Sequence, residues 1–161
     1  MESRFNILFF LTPKEELAYI YEDSDLEQTL VLMESRRYTA IPVLRRSGEY
    51  LGTITEGDLL YGIKNMYQMN IKSALRLPIA DLPRHSDLQA VTVSTDIEIL
   101  FSKSLDQNFI PVIDDRGIFI GIVTRRKIIQ YYRSKLDQAY DGGVNSQYRN
   151  DEENPVRSCS Y

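Results

Sequence analysis

This 161-residue sequence holds one cysteine, one histidine and no tryptophan. The lone thiol, Cys159, lies in a polar tail, which excludes a disulfide framework and fits a reducing cytoplasm. The lone imidazole, His85, lies in the polar stretch PRHSD with no second histidine or cysteine beside it. That removes a metal site and places His85 at the surface. One histidine in a linker and one cysteine in a tail leave no Ser-His-Asp or Cys-His nucleophile set, so an enzyme is not expected. Long apolar runs are missing too. None approaches the roughly 20 residues that span a bilayer, and Ile7–Leu11, with Pro13 close behind, is too short for a signal-peptide core. Basic charge is not in excess: 19 Lys and Arg stand against 23 Asp and Glu, a formal net charge of −4, so no nucleic-acid partner is expected.

What is present is a repeat. IPVLRRSGEYLGTITEGDLL, residues 41–60, returns as IPVIDDRGIFIGIVTRRKII, residues 110–129. Pro42 and Pro111, Gly48 and Gly117, Gly52 and Gly121, and Thr55 and Thr124 all stand 69 positions apart. Such a register governs the architecture before any other feature does. Each copy spells strand, glycine turn, strand and helix start: Tyr38–Leu44 and Leu51–Thr55 with a helix from Gly57-Asp58, then Phe109–Ile113 and Phe119–Thr124 with a helix over Arg126–Leu136. An amphipathic helix precedes each. Ser24 or Asp25 caps the first, with Leu26, Leu30 and Met33 on one face; Thr95 or Asp96 caps the second, with Ile97, Leu100, Phe101 and Leu105. Strands are expected at Leu17–Tyr21 and Ala90–Val93, and short helices at Ile7–Leu11 and Ile71–Leu77. After Asp137 the apolar periodicity stops, and residues 137–161 read as a polar, disordered tail. The repeats are drawn at 6–70 and 71–136.

One copy alone buries too little apolar surface to offset its chain entropy. Two small sheets stacked face to face, sharing a core, solve this. The fold class is α/β (α+β), two β-α-β-β-α repeats packed with pseudo-two-fold symmetry. Such a seam leaves two related clefts, a usual place for small ligands.

Each copy carries Gly-hydrophobic-hydrophobic-Thr ahead of a helix: Gly52-Thr53-Ile54-Thr55, where Thr53 takes the first apolar place, and Gly121-Ile122-Val123-Thr124. With the Ile-Pro-Val strands and the preceding helices, this resembles a tandem CBS pair, or Bateman module, over roughly Asn6 to Leu136. Leu11-Thr12-Pro13 is similar to the segment that often precedes the first repeat. The stretches YTAIPVL and TRR look like stand-alone bacterial CBS pairs that bind cyclic di-AMP and other adenine nucleotides and then act on a partner protein. A lysine common in that subgroup aligns with Glu16, so AMP and ATP stay beside cyclic di-AMP.

The resemblance implies that Ala18, Tyr38, Thr39, Ala40 and Ile41 share one cleft with Thr124, Arg125 and Arg126, whose guanidiniums match phosphate oxygens. A second cleft combines Thr55 and Asp58 with Asn108, Phe109 and Ile110. Asp58 is acceptor-only and suits two vicinal ribose hydroxyls, while a helix N-terminus suits phosphate. The alternative for Thr55 and Asp58 is plain N-capping. Lys127 stands where Asp58 stands in copy one and is expected to be solvated. Arg36 and Arg37 could touch phosphate, but such a pair is expected to cap a helix C-terminus or meet solvent. The expected function is regulatory adenine-nucleotide binding by a cytoplasmic homodimer, with no metal, cofactor, nucleic acid or membrane. The alternative is a scaffold whose clefts stay empty.

Overall fold

The computed structural model describes residues 6–85 and 88–147. Copy one folds as β2 (Ile20–Tyr21), α1 (Leu26–Arg36), β3 (Ala40–Leu44), β4 (Tyr50–Thr55) and α2 (Glu56–Tyr67). Copy two repeats it as β5 (Val91–Thr92), α4 (Ile97–Asp106), β6 (Phe109–Ile113), β7 (Phe119–Thr124) and α5 (Arg125–Gln147). A strand β1 (Thr12–Pro13) precedes the first copy, and a short helix α3 (Ile71–Ala74) follows it. The sheets run β2-β3-β4 and β1-β7-β6-β5.

The repeat survives down to hydrogen-bond register. Ala40 pairs with Thr55 and Phe109 with Thr124, and each hairpin slips once, after Val43 and after Val112. The two hairpin tips meet head on. Tyr50 N–H donates to the Gly117 carbonyl at 3.1 Å, and Phe119 N–H donates to the Gly48 carbonyl at 3.0 Å. The Tyr50 and Phe119 rings stack beside them at 5.9 Å. These reciprocal bonds between positions 69 apart mark the pseudo-two-fold axis.

Local chemistry explains the elements. Asp25 and Gln28 form a reciprocal capping box at the start of α1. Pro42 sits in the middle strand of its sheet, where a missing N–H is normally not tolerated. Here the neighbouring β2 is two residues long and pairs only with Val43 and Leu44, so Pro42 faces no second ladder. Pro111 has the same freedom beside β5.

Two apolar cores form, one per repeat, instead of the single shared core expected. They are tied by an exchange. Ile7, in a 3₁₀ turn at Ile7–Phe9, is fully buried in the second core with Leu100, Val112, Val123 and Ile128. Ile79, in a 3₁₀ turn at Ile79–Asp81, is buried in the first core with Ile41, Ile54 and Leu59. Ala74, Leu77 and Leu82 join that first core as well. The boundaries 6–70 and 71–136 therefore cut across the packing: each leader segment is lodged in the other repeat.

Three elements differ from expectation. Ile7–Leu11 is only a three-residue 3₁₀ turn, and the chain then extends so that β1 can pair antiparallel with β7. Leu17–Tyr21 is strand only at Ile20–Tyr21, because Lys14–Glu16 turn and Ala18 goes to a cavity wall. The last helix does not stop at Leu136 but runs to Gln147, so 137–147 is not disordered tail. Residues 137–140 are solvent-exposed, and a helix that packs on nothing needs no apolar period. The rest of the expected tail lies outside the described residues.

Candidate functional site

The strands that free Pro42 also open the site. Because β2 covers only the far half of β3, the near half is bare, and the seam between repeats widens there into a cavity of about 310 Å³. This is the lower end of the volume range of small-molecule pockets. Copy one contributes Leu17, Ala18, Arg37, Tyr38, Thr39, Ala40 and Pro42; copy two contributes Asn108, Phe109, Ile122 and Thr124; β1 adds Thr12. The half-buried rings of Tyr38 and Phe109 supply flat apolar surface, suited to a planar base. Thr124 stands at the N-terminus of α5, the positive end of the helix, where the Arg125 N–H donates to the Asn108 carbonyl at 2.9 Å and the Lys127 N–H to Thr124 Oγ1 at 3.4 Å.

Seven of the expected residues meet on this wall: Ala18, Tyr38, Thr39, Ala40, Asn108, Phe109 and Thr124. Asn108 and Phe109 had been placed in the other cleft. Ile41 and Ile110 do not take part, since both are fully buried in the two cores. Arg125 is engaged elsewhere: its guanidinium donates to the carbonyls of Gln107 at 3.2 Å and Leu105 at 3.3 Å, closing the C-terminal end of α4. Arg126 is exposed and lies off the wall.

On the other side of the seam the expected ribose ligand is turned inward. Asp58 is buried, with 2% of its surface exposed. Its Oδ2 accepts from the Thr55 N–H at 2.9 Å and the Thr55 hydroxyl at 2.7 Å, and its Oδ1 accepts from the His85 N–H at 2.8 Å. Thr55 Oγ1 in turn accepts from the Asp58 N–H at 3.1 Å, completing a capping box. The carboxylate thus bonds to its own helix start and to the linker, the geometry of the capping alternative.

Lys127, the Asp58 counterpart, is likewise not solvated. Its ammonium donates to Thr12 Oγ1 at 2.9 Å and to the Leu11 carbonyl at 3.4 Å. Each repeat therefore uses the same helix position to pin the other's leader, once by a carboxylate and once by an ammonium. Leu17, Pro42 and Ile122 are wall residues that the sequence did not single out for the cleft, whereas Thr12 stood in the Leu11-Thr12-Pro13 segment and Arg37 in a pair that could touch phosphate.

A model of the CBS domain matches residues 11–65 and 79–134. Cyclic di-AMP receptor B of Bacillus subtilis is 23% identical over 121 residues, spanning 75% of this chain and 82% of that protein. The Listeria monocytogenes CbpB protein, solved in complex with c-di-AMP, has a similar fold, with a TM-score of 0.73 at 21% identity over 82% of this chain and 98% of that one. CBSX2, an Arabidopsis thaliana protein solved in complex with AMP, gives a TM-score of 0.67 at 25% identity over 82% of this chain and 98% of that one.

Proposed function

The chain belongs to the CBS-domain family as a pair of repeats, and from that premise we propose that it is a regulatory module that binds an adenine nucleotide between the repeats and passes the change to a partner protein. The observation that carries this is the seam cavity: two aromatic rings, polar backbone-edge residues and a helix N-terminus converge on about 310 Å³. Relatives of this architecture bind c-di-AMP or AMP.

Titration with cyclic di-AMP, AMP and ATP tests the proposal through the melting temperature. A ligand bound only by the native state at about 100 times its Kd adds about 2.7 kcal/mol. For a chain of this size that is a rise of roughly 5–10 °C. No rise with any of the three at millimolar concentration would sink the proposal.

We further propose that the module pairs with a second copy. Leu60 of α2 and Ile129 of α5 occupy equivalent repeat positions, and both are about half exposed on the two helix faces, with Tyr61 beside the first. Leu60→Glu with Ile129→Glu should convert a dimer to a monomer in sedimentation equilibrium. A wild-type protein that already sediments as a monomer would refute this.

A further inference from the structure

The helix pairs of the two repeats differ in charge. Helices α1 and α2 carry four acidic and two basic residues, whereas α4 and α5 as far as Leu136 carry two acidic and six basic.

Shape divides in the same way. Between α1 and α2 lies a groove of about 320 Å³. Leu30, Met33 and Leu59 give it apolar walls, and Glu34, Glu56 and Arg37 give it charged ones. Glu34 and Glu56 are exposed, and among the described residues neither has an ion-pair partner. Copy two is built differently at the same positions. Counted from the caps Asp25 and Asp96, Leu105 takes on α4 the place that Glu34 has on α1, and Phe101 that of Leu30. Arg125 opens α5 as Glu56 opens α2. The Phe101 ring packs on Tyr132 at 4.6 Å, and the Arg125 guanidinium donates to the Leu105 carbonyl at 3.3 Å. Leu105 itself is 67% exposed. Copy two thus presents a projecting leucine with a guanidinium pinned beside it, and copy one presents an apolar groove with two free carboxylates. Burying that leucine in the groove would take apolar surface of both out of water.

We infer that the second copy docks head to tail. The α4–α5 face of each protomer lies on the α1–α2 face of the other, with Leu105 over the groove and Arg125 and Arg126 against Glu34 and Glu56. The inference rests on the pairing proposed above and adds which face meets which. A two-fold axis makes this contact twice and closes the pair. The reverse arrangement sets each face against its own copy. Glu34 and Glu56 then meet a second pair of carboxylates, and Arg125 and Arg126 a second pair of guanidiniums. Like charges so placed oppose association.

Charge reversal in the full chain tests the docking. Glu34→Arg with Glu56→Arg should raise the dimer Kd tenfold or more in sedimentation equilibrium, because attraction becomes repulsion at both contacts. In the reverse arrangement the same change only swaps one like-charge pair for another. A Kd within twofold of wild type would therefore overturn the inference. Disulfide trapping in Cys159→Ser chains reads the geometry independently. Glu34→Cys and Leu105→Cys chains, co-expressed and mildly oxidised, should give a linked heterodimer, and neither chain alone should give a linked homodimer. A linked homodimer of either chain would overturn the inference. So would the absence of any linked species when the wild type sediments as a dimer. A wild type that sediments as a monomer would overturn the pairing itself, and this docking with it.

Discussion

Replacing Gly121 by alanine is expected to lower stability by about 2–4 kcal/mol, more than a surface glycine would. Gly121 lies on β7 opposite Pro13 of β1. A Cβ built there lands on the Thr12 carbonyl oxygen, and meets Leu11 Cδ1 at 3.0 Å and Pro13 Cα at 3.1 Å. Two of these obstacles are backbone, which cannot rotate aside. The strand must withdraw, taking with it the Thr12 hydroxyl and Leu11 carbonyl that hold Lys127. The loss therefore reaches the cavity wall as well as the sheet. Gly117 is the control: nothing lies within 4 Å of its Cβ position, and only its φ of +81° is unfavourable to alanine. Its alanine variant should cost about 1–2 kcal/mol. Urea unfolding of both variants checks the pair, and a Gly121→Ala midpoint no lower than that of Gly117→Ala would show that β1 does not sit against β7.

Truncating Ile7 or Ile79 to alanine should each cost about 2–5 kcal/mol, the usual range for deleting a buried isoleucine to the β-carbon. Ile7 is wholly enclosed, and Ile79 is 3% exposed. The direction of the damage is the sharper expectation. Ile7 belongs to copy one in sequence but packs in copy two's core, and Ile79 does the reverse. Amide exchange should accelerate in β6 and β7 for Ile7→Ala, and in β3 and β4 for Ile79→Ala. Damage confined to the hairpin of the same copy would contradict the exchange of leaders.

The parts that could be seen in the sequence are those that local rules determine. Alternating apolar residues around Gly48 and Gly117 require hairpins, and the constant 69-residue offset aligns them before any coordinates are known. Tyr38, Thr39 and Ala40 could be placed on a cleft wall because the resemblance to the CBS pair put them there. What stayed hidden depends on address. Ile7 and Ile79 announce burial but not which core receives them. Asp58 offered ribose recognition or capping, and its contact with the His85 N–H lies 27 residues away. Lys127 finds Thr12 across 115 residues. Arg125 closes α4 because that helix ends within its reach, which no spacing rule encodes. The last helix continued unannounced past Leu136 because residues 137–140 are solvent-exposed and carry no apolar period.

The backbone bonds joining Tyr50 to Gly117 and Phe119 to Gly48 fasten the two hairpins at their tips. They act as the spine of a book, and the cavity lies by the opposite margin of the pages. From Leu44 at the spine to Ala40 at the margin is four residues of strand, about 13 Å. A tilt of about 10° between the pages then moves the margin by roughly 2 Å while the spine barely shifts. A ligand in the cavity, as proposed, would work on a lever with its fulcrum at the hairpin tips, and the helices α2 and α5, which start at the margin, would carry the swing outward to the surface.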